Sequence, residues 1–486
     1  MTHPPKSSAA PPAPGGMPTM PAVPPQPGIR ADGTPTPGPA PQEPRRTAFA
    51  EGLDRLRAAA VTEPGRLRII GALIAALVIA FGAVTAWQTT ERAAAADDVL
   101  HKSQPLSSAA ADIYRSLADA NTAASSGFLA GGQETPASRQ RYEKDIDLAA
   151  GGLVKAAANS DPGSSAAATV TELNRLLPEY KGLIERARTY NRQGFPVGGA
   201  YLRYANEKMQ DDMLPKAQAL YDKENQRLRA DYDDATPYPW AAIALGVFAL
   251  AALAWAQHRN YRRTNRVLNH GLVAATATAA VVLLWLVVGH TVARAGLNAS
   301  YDHGVRSLNV LHDARIASLK ARGNENLTLV SRGAETVTVK DEQGDEKVVD
   351  AYDQDFKTNM KILGKGLAEA ARLADDDPGR KPVAVAESSM TEWQKRHTEA
   401  REQDDNGAYE TALNLVIGGK EATGACFDNV DESLAQALTH EEAEFQRSAG
   451  DGLGAMTGLP VGAAVLAVLG AAGAVLGIGR RLSEYR

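Results

Sequence analysis

IIGALIAALVIAFGAVTAW, residues 69–87, is an uncharged apolar run of about the length that a helix needs to cross a bilayer. Three more runs share its length and composition: 238–256, 272–293 and 459–478. One such run could be a buried core helix. Four of them, in a chain whose mean hydropathy is −0.27, predict four transmembrane helices.

Arginine clusters predict how these helices are oriented. They lie before the first run, between the second and third, and after the fourth: Arg66 and Arg68; Arg259, Arg262, Arg263 and Arg266; Arg480, Arg481 and Arg486. Because Lys and Arg are concentrated on the cytoplasmic side of membrane proteins, we expect a multi-pass protein of the cytoplasmic membrane with both termini inside. The two long polar segments, 88–237 and 294–458, are then extracytoplasmic.

The two halves of the chain resemble each other. Short matches recur in the same order, with slowly drifting offsets: Arg92-Ala93 with Arg294-Ala295, Ser116-Leu117 with Ser318-Leu319, Asp161-Pro162-Gly163 with Asp377-Pro378-Gly379, Gly199-Ala200-Tyr201 with Gly407-Ala408-Tyr409, and Ala217 to Leu220 with Ala435 to Leu438. Their common order indicates a tandem duplication of a helix–ectodomain–helix unit.

Each polar segment has the pattern of a helical bundle. Apolar residues from Leu106 to Phe128 alternate at spacings of three and four, and Gly-Pro turn signals divide the segment into four helices. The predicted fold is therefore all-α: four transmembrane helices and two tandem extracytoplasmic four-helix bundles, packed side by side. The second bundle gains a small β-hairpin, Thr336–Val339 and Lys347–Val349 around Gly344.

The remaining parts of the chain are predicted to be cytoplasmic. Residues 1–47 are rich in proline, which predicts a disordered tail. Residues 48–68 form a juxtamembrane helix, 257–271 a basic loop, and 479–486 a short tail.

Composition argues against several classes of function. The net charge is −5 and the second bundle is acidic, so a nucleic-acid partner is not expected. Cys426 is the only cysteine, which excludes an intramolecular disulfide. The chain lacks nucleotide-binding glycine loops, G-x-S-x-G and paired-histidine motifs such as H-E-x-x-H. We therefore predict no enzyme activity, no cofactor and no metal site.

Candidate binding residues come from differences between the two halves. Three apolar residues predicted to face the core of the first bundle, Ile113, Ala120 and Ala124, are matched in the second half by Arg315, Arg322 and Asn326. A small rotation of the helix could turn both arginines outward and leave Ile316, Leu319, Gly323, Leu327 and Val330 inside. Alternatively, the arginines form a cationic site for an acidic amino acid or for an acidic patch on a binding protein.

On the predicted cytoplasmic side, four arginines serve first to set the orientation of the membrane helices. They are also candidates for contact with a cytosolic partner: Arg259, Arg262, Arg263 and Arg266.

A narrower resemblance follows from the architecture. The Pro-rich tail, four membrane helices, two helical ectodomains and segments such as residues 113–120 and 127–129 resemble the actinobacterial GlnX-type membrane proteins, whose bundles are similar in layout to chemoreceptor input domains. This resemblance implies a relay between amino-acid (aspartate/glutamate) sensing, together with a GlnH-like solute-binding lipoprotein, and a PknG-like cytosolic Ser/Thr kinase. Two other functions remain open: direct sensing of a small ligand, and a structural or scaffold role in the membrane.

Overall fold

A computed structural model describes residues 62–131, 134–160, 162–264, 269–340 and 344–482. This part of the chain is almost entirely helical. Its helices are α1 (Glu63–Asp98), α2 (Gln104–Leu129), α3 (Pro136–Asn159), α4 (Ser165–Arg192), α5 (Val197–Glu207), α6 (Leu214–Ala235), α7 (Trp240–Thr264), α8 (His270–Ala299), α9 (Arg306–Ser331), α10 (Ala351–Leu373), α11 (Asp377–Asp405), α12 (Tyr409–Ile417), α13 (Thr423–Met456) and α14 (Leu459–Leu482). The predicted disordered tail and most of the juxtamembrane helix lie outside the described residues.

Four helices are long and apolar enough to cross a membrane, which confirms this part of the prediction. The predicted runs 69–87, 272–293 and 459–478 lie within α1, α8 and α14, and the run 238–256 begins two residues before α7. Neighbouring helices pack in the cyclic order α1, α7, α8, α14, and α1 also contacts α8 across the group. The predicted basic loop is shorter than expected, because α7 remains helical to Thr264.

Small residues let the membrane helices approach closely. A Cβ atom placed on Gly271 of α8 would lie 2.3 Å from the carbonyl oxygen of Gly473 in α14, so the two backbones are in direct contact. Gly82 of α1 and Ala467 of α14 are similarly close. Such contacts are the usual basis of helix association in a lipid environment, where the hydrophobic effect contributes little.

Two membrane helices continue into the polar segments without a break. A π-helical turn, Val99–Ser103, joins α1 to α2, and another, Ser300–Val305, joins α8 to α9. A third π-helical turn, Lys208–Met213, lies between α5 and α6. The first two occupy equivalent positions in the two halves of the sequence. Each π turn adds one residue to the helical repeat and so changes which side chains face the neighbouring helices.

The two polar segments, 88–237 and 294–458, pack against each other through α2 and α9. Buried side chains such as Ile113 and Leu117 in α2 and Leu311 and Ala314 in α9 belong to one continuous apolar cluster. The core is therefore shared across the contact.

The sequence correctly predicts the β-hairpin. Strands β1 (Thr336–Lys340) and β2 (Glu346–Asp350) are antiparallel, with Thr338 opposite Val348. The intervening Gly344 has a φ of +90°, a left-handed conformation that favours glycine. The hairpin connects α9 to α10.

The last helix of each segment differs between the halves. In the first segment, residues 197–235 are helical throughout. In the second, a turn at Gly418–Ala422 separates α12 from α13. The offset between matching residues rises from 208 at Gly199 and Gly407 to 218 at Ala217 and Ala435, so the second half is ten residues longer than the first in this region.

Candidate functional site

A cavity of about 540 Å³ lies between the two polar segments. The first segment contributes α2 and the beginning of α3, and the second contributes α9, the Gly418–Ala422 turn and the beginning of α13. Its polar lining residues are Thr122, Ser126, Thr135, Ser138, Arg141, Arg322, Lys420 and Asp428. Ligand-binding cavities commonly have this size, lie at such contacts between domains, and combine apolar walls with a few polar groups.

The cavity lies beside a polar contact between α2 and α9. Thr122 Oγ1 donates a hydrogen bond to the carbonyl oxygen of Leu319 at 3.1 Å. Asn326 Nδ2 donates to Ser125 Oγ and Ser126 Oγ at 3.2 and 2.7 Å. Asn326 is fully buried, and its Oδ1 has no hydrogen-bond partner. These bonds fix the register of the two helices at the level of the cavity.

Arg322 is the most buried cationic group in the cavity wall, with 4% of its surface exposed. Its Nη1 donates to Glu325 Oε2 at 2.5 Å and to Thr423 Oγ1 at 3.0 Å, and its Nη2 donates to the carbonyl oxygen of Val416 at 3.1 Å. A Cβ atom on Gly424 would lie 2.8 Å from Nη2. The guanidinium can therefore reach the beginning of α13 only because residue 424 lacks a side chain.

Behind Arg322, a network of buried polar groups continues through the second segment. Glu325 accepts a hydrogen bond from Trp393 Nε1 at 3.1 Å and lies 3.0 Å from Nδ1 of His397. His397 Nε2 lies 3.0 Å from Asp353 Oδ1, and the imidazole stacks on Phe356 with ring centroids 3.6 Å apart.

The pKa shifts of three groups in this network, Glu325, His397 and Asp353, all favour the charged forms. Burial opposes ionisation of Glu325, but the Arg322 guanidinium and His397 hold the pKa of Glu325 below its usual value. Burial likewise opposes protonation of His397, yet its hydrogen bonds to Asp353 and Glu325 raise its pKa. The pKa of Asp353 falls to about 2, because hydrogen bonds from His397 and Lys357 outweigh the effect of burial. The positive charge of Arg322 is thus compensated within the protein.

A second group of charges joins the two segments. Arg141 Nε donates to Asp119 Oδ1 at 3.1 Å, and Arg141 Nη1 donates to Asp428 Oδ1 at 2.9 Å. Arg315 forms a bidentate pair with Asp431 at 2.7 and 3.1 Å. Although burial opposes it, the pair with Arg315 keeps the pKa of Asp431 below its ordinary value. This group, Asp119, Arg141, Arg315, Asp428 and Asp431, is called the interface charge cluster below.

Asp145 adjoins the interface charge cluster, and its surroundings favour the protonated carboxyl. Burial, followed by the proximity of Asp119, raises the pKa of Asp145 to about 8. Arg115 and Arg141 act in the opposite direction but do not compensate fully. Asp145 is therefore mostly neutral at pH 7.

The three residues predicted from the duplication have different environments. Arg322 lines the cavity, whereas Arg315 is ion-paired beside it and Asn326 lies in the α2–α9 contact. The predicted rotation that turns both arginines outward is wrong, because Arg322 is buried and only 14% of the Arg315 side chain is exposed. Pairing with Asp431 and Glu325 offsets the cost of burying the two charges.

The candidate arginines near the C-terminal end of α7 do not belong to this cavity. Arg259 is half-buried, with its guanidinium 5.5 Å from the ring centroid of Trp255, and Arg262 is exposed. The Arg263 side chain and Arg266 lie outside the described residues.

Sequence reasoning missed two groups. Arg141 and Lys420 line the cavity, but neither belongs to a motif, and they meet only through packing between the halves. Asp376, His440 and Glu444 also lie close enough together to hold a metal ion, although no metal site was predicted. A signal was present for this second group, since His440 and Glu444 are four residues apart on one helix.

Four membrane-length helices joined to polar helical segments support a multi-pass membrane protein. Residues 95–233 match the family model for an actinobacterial sensor domain. The matched range covers the first polar segment, less than a third of the chain, and supports an actinobacterial sensor protein. No curated protein and no solved structure showed a significant match.

Proposed function

We propose that this protein is a GlnX-type transmembrane relay. In this proposal, the availability of aspartate or glutamate outside the cell, sensed together with a GlnH-like binding lipoprotein, is passed to a PknG-like cytosolic Ser/Thr kinase. The lipoprotein and the kinase come from the resemblance in architecture. The sensor-domain match supports the broader class.

The observation that carries the proposal is the continuity of the helices that wall the cavity. Thr122 and Ser126 lie in α2, which runs into α1, and Arg322 lies in α9, which runs into α8. A ligand that changes how α2 and α9 pack would therefore act directly on two membrane helices. Small displacements of packed helices are a common means of transmitting a signal.

The cavity has features that suit a carboxylate ligand. Arg322 and Lys420 lie close to the N-terminus of α13, whose N-cap residue Ala422 provides no side-chain cap. The first N–H groups of a helix and the helix dipole both favour an anion there. We propose that Arg322 contacts the ligand, and that Arg315 and Asn326 hold the surrounding helices in place.

Docking of the lipoprotein would use a different surface. Phe195, Val197 and Tyr204 are about half exposed around the turn between α4 and α5. Exposed apolar and aromatic groups of this kind are typical of protein interfaces. On the cytoplasmic side, we propose that Arg259, Arg262, Arg263 and Arg266 contact the kinase.

The first experiment tests direct ligand binding. The thermal midpoint of the detergent-solubilised full chain is measured with aspartate, glutamate, or lysine as a cationic control. We expect stabilisation by the two acidic amino acids only, and its loss in Arg322→Gln. Arg139→Gln removes an arginine from an exposed ion pair with Glu143 and serves as the matched control. Equal midpoints with all three amino acids would exclude direct sensing.

The second experiment tests the relay. The full chain is used to capture a purified binding lipoprotein from one side and a purified kinase from the other, with and without aspartate. Phe195→Ser should weaken the first interaction, and neutralisation of Arg259 and Arg262 the second. If neither protein is retained, the relay is wrong and a scaffold role becomes the better explanation.

A further inference from the structure

Three metal-ligating groups converge on the side of the second segment, away from the cavity. His440 and Glu444 are one turn apart on α13, and Asp376 is the N-cap residue of α11. One ligand atom from each residue lies within 4.8 Å of the other two. From this geometry we propose that Asp376, His440 and Glu444 bind a divalent transition-metal ion, with Zn²⁺ as the test ion.

The distances are close to those that a metal ion requires. Zn²⁺ binds nitrogen and oxygen ligands at about 2.1 Å, so two ligand atoms in a tetrahedral site are about 3.4 Å apart. His440 Nε2 lies 3.0 Å from Asp376 Oδ1 and 3.9 Å from Glu444 Oε1, values on either side of that separation. An ion could enter with side-chain movements of less than about 1 Å.

The surrounding structure holds the ligands in place. Asp376 Oδ1 accepts a hydrogen bond from the backbone N–H of Gly379 at 2.8 Å, which fixes this carboxylate at the beginning of α11. His440 and Glu444 share a helix face, so they approach the same point without any change of backbone. Such supporting contacts orient ligands and reduce the entropy lost on metal binding.

Charge and exposure also suit a divalent ion. Two carboxylates and a neutral imidazole compensate a charge of +2. The side chains of Asp376, His440 and Glu444 are 38%, 21% and 25% exposed, which leaves room for a water molecule as a fourth ligand. An imidazole in a small mixed set favours Zn²⁺ and its neighbours over Ca²⁺, which prefers six to eight oxygen ligands.

A bound ion would connect the α10–α11 turn to α13. Because α13 leads through a two-residue turn to the membrane helix α14, the ion would stiffen a direct connection to the membrane. This inference is independent of the proposed amino-acid relay, since the site lies outside the cavity and needs neither the lipoprotein nor the kinase.

The test uses the full chain in detergent, without a histidine tag and after treatment with EDTA. Titration calorimetry with Zn²⁺ should show one site per chain, and Co²⁺ should give the visible absorption bands of a low-coordinate site. His440→Gln and Glu444→Gln should each weaken binding by about 10- to 100-fold or more. Asp376→Asn should do the same while keeping a good N-cap residue.

His101→Gln is the matched control, because His101 also pairs with a carboxylate one helical turn earlier, Asp97 at 2.9 Å, and the described residues offer no third metal ligand there. Its affinity for Zn²⁺ should equal that of the unaltered chain. Circular dichroism confirms that each variant is folded. Absence of stoichiometric Zn²⁺ binding, or unchanged affinity in the folded His440→Gln variant, would overturn the proposal.

Discussion

Arg141 of α3 forms an ion pair with Asp428 of α13, with Nη1 and Oδ1 2.9 Å apart. Nε of the same guanidinium donates to both carboxylate oxygens of Asp119 in α2, at 3.1 and 3.3 Å. One side chain therefore connects two helices of the first polar segment to a helix of the second. Because α13 leads to α14, this contact also relates the first segment to a membrane helix of the second half.

Replacing Arg141 with Gln should loosen the contact between the segments. Asp119 would be left buried without its partner, and we expect a loss of about 1–3 kcal/mol in the free energy of unfolding. Thermal unfolding of the full chain in detergent measures the change. The exposed variant Arg139→Gln should cost less than about 0.5 kcal/mol. Equal losses of stability in Arg141→Gln and Arg139→Gln would show that Arg141 does not hold the two segments together.

Glu325→Gln should be among the most damaging conservative substitutions in the second segment. It leaves the Arg322 charge buried without a counterion, which typically costs about 3–5 kcal/mol. The measurement is the same unfolding experiment, with exposed Glu399→Gln on α11 as the control. The double variant Arg322→Met/Glu325→Leu should recover much of the loss, since it removes both charges together. A double variant as unstable as Glu325→Gln would contradict this account.

Gly424→Ala should displace the Arg322 guanidinium, because the new Cβ atom would lie 2.8 Å from Nη2. We expect a loss of about 1–3 kcal/mol from overpacking, together with weaker stabilisation by acidic amino acids. Gly450→Ala, on the same helix, meets no atom within 4 Å and should stabilise the chain by about 0.5–1 kcal/mol. Stabilisation by both alanines would show that Arg322 has room to move.

The free energy of unfolding should depend on pH through the ionisation of Asp145. Its pKa is about 8 when folded and near the ordinary value when unfolded, so the folded state retains a proton that the unfolded state releases between these limits. The contribution of Asp145 to stability therefore falls as the pH rises from about 4 to about 8. Asp145→Asn should remove this fall and be more stable than the unaltered chain at pH 9 by at least about 1 kcal/mol. A pH profile identical to that of the unaltered chain would exclude this assignment.

Cys426 should resist thiol reagents in the folded protein. It is 5% exposed, and burial raises its pKa, which lowers the fraction of reactive thiolate. Labelling with a maleimide should be slow until a denaturant is added.

In a Cys426→Ser background, single cysteines at positions 195 and 262 should then report opposite sides of the membrane. Labelling of both from outside intact cells would contradict the predicted topology.

The membrane helices and the hairpin could be predicted from the sequence because each depends on a local pattern. A charge-free run of about 20 residues, or alternating β-branched residues around Gly344, specifies its structure without reference to distant parts of the chain. Turn residues such as Gly163 and Gly194, both with positive φ, likewise mark where helices end.

The cavity could not be predicted in this way, because its wall comes from parts of the chain as far apart as Thr122 and Asp428. The sequence indicated that Arg322 replaces an apolar residue of the first bundle. Whether Arg322 is buried beside Glu325 depends on which face of α9 packs into the core. The predicted outward rotation would avoid burying a guanidinium group without partners. Thr423, Val416 and Glu325 supply those partners, and only Val416 and Thr423 come from outside α9.

The Gly418–Ala422 turn has a consequence for how such a receptor can evolve. In a receptor assembled from two identical chains, any inserted turn appears twice, and both copies of the contact change together. Within one chain, by contrast, a turn can be present in one half and absent from the other, as it is here. This turn lines one wall of the cavity, whereas the equivalent stretch of the first half is a continuous helix, so the two halves contribute unequal walls to it.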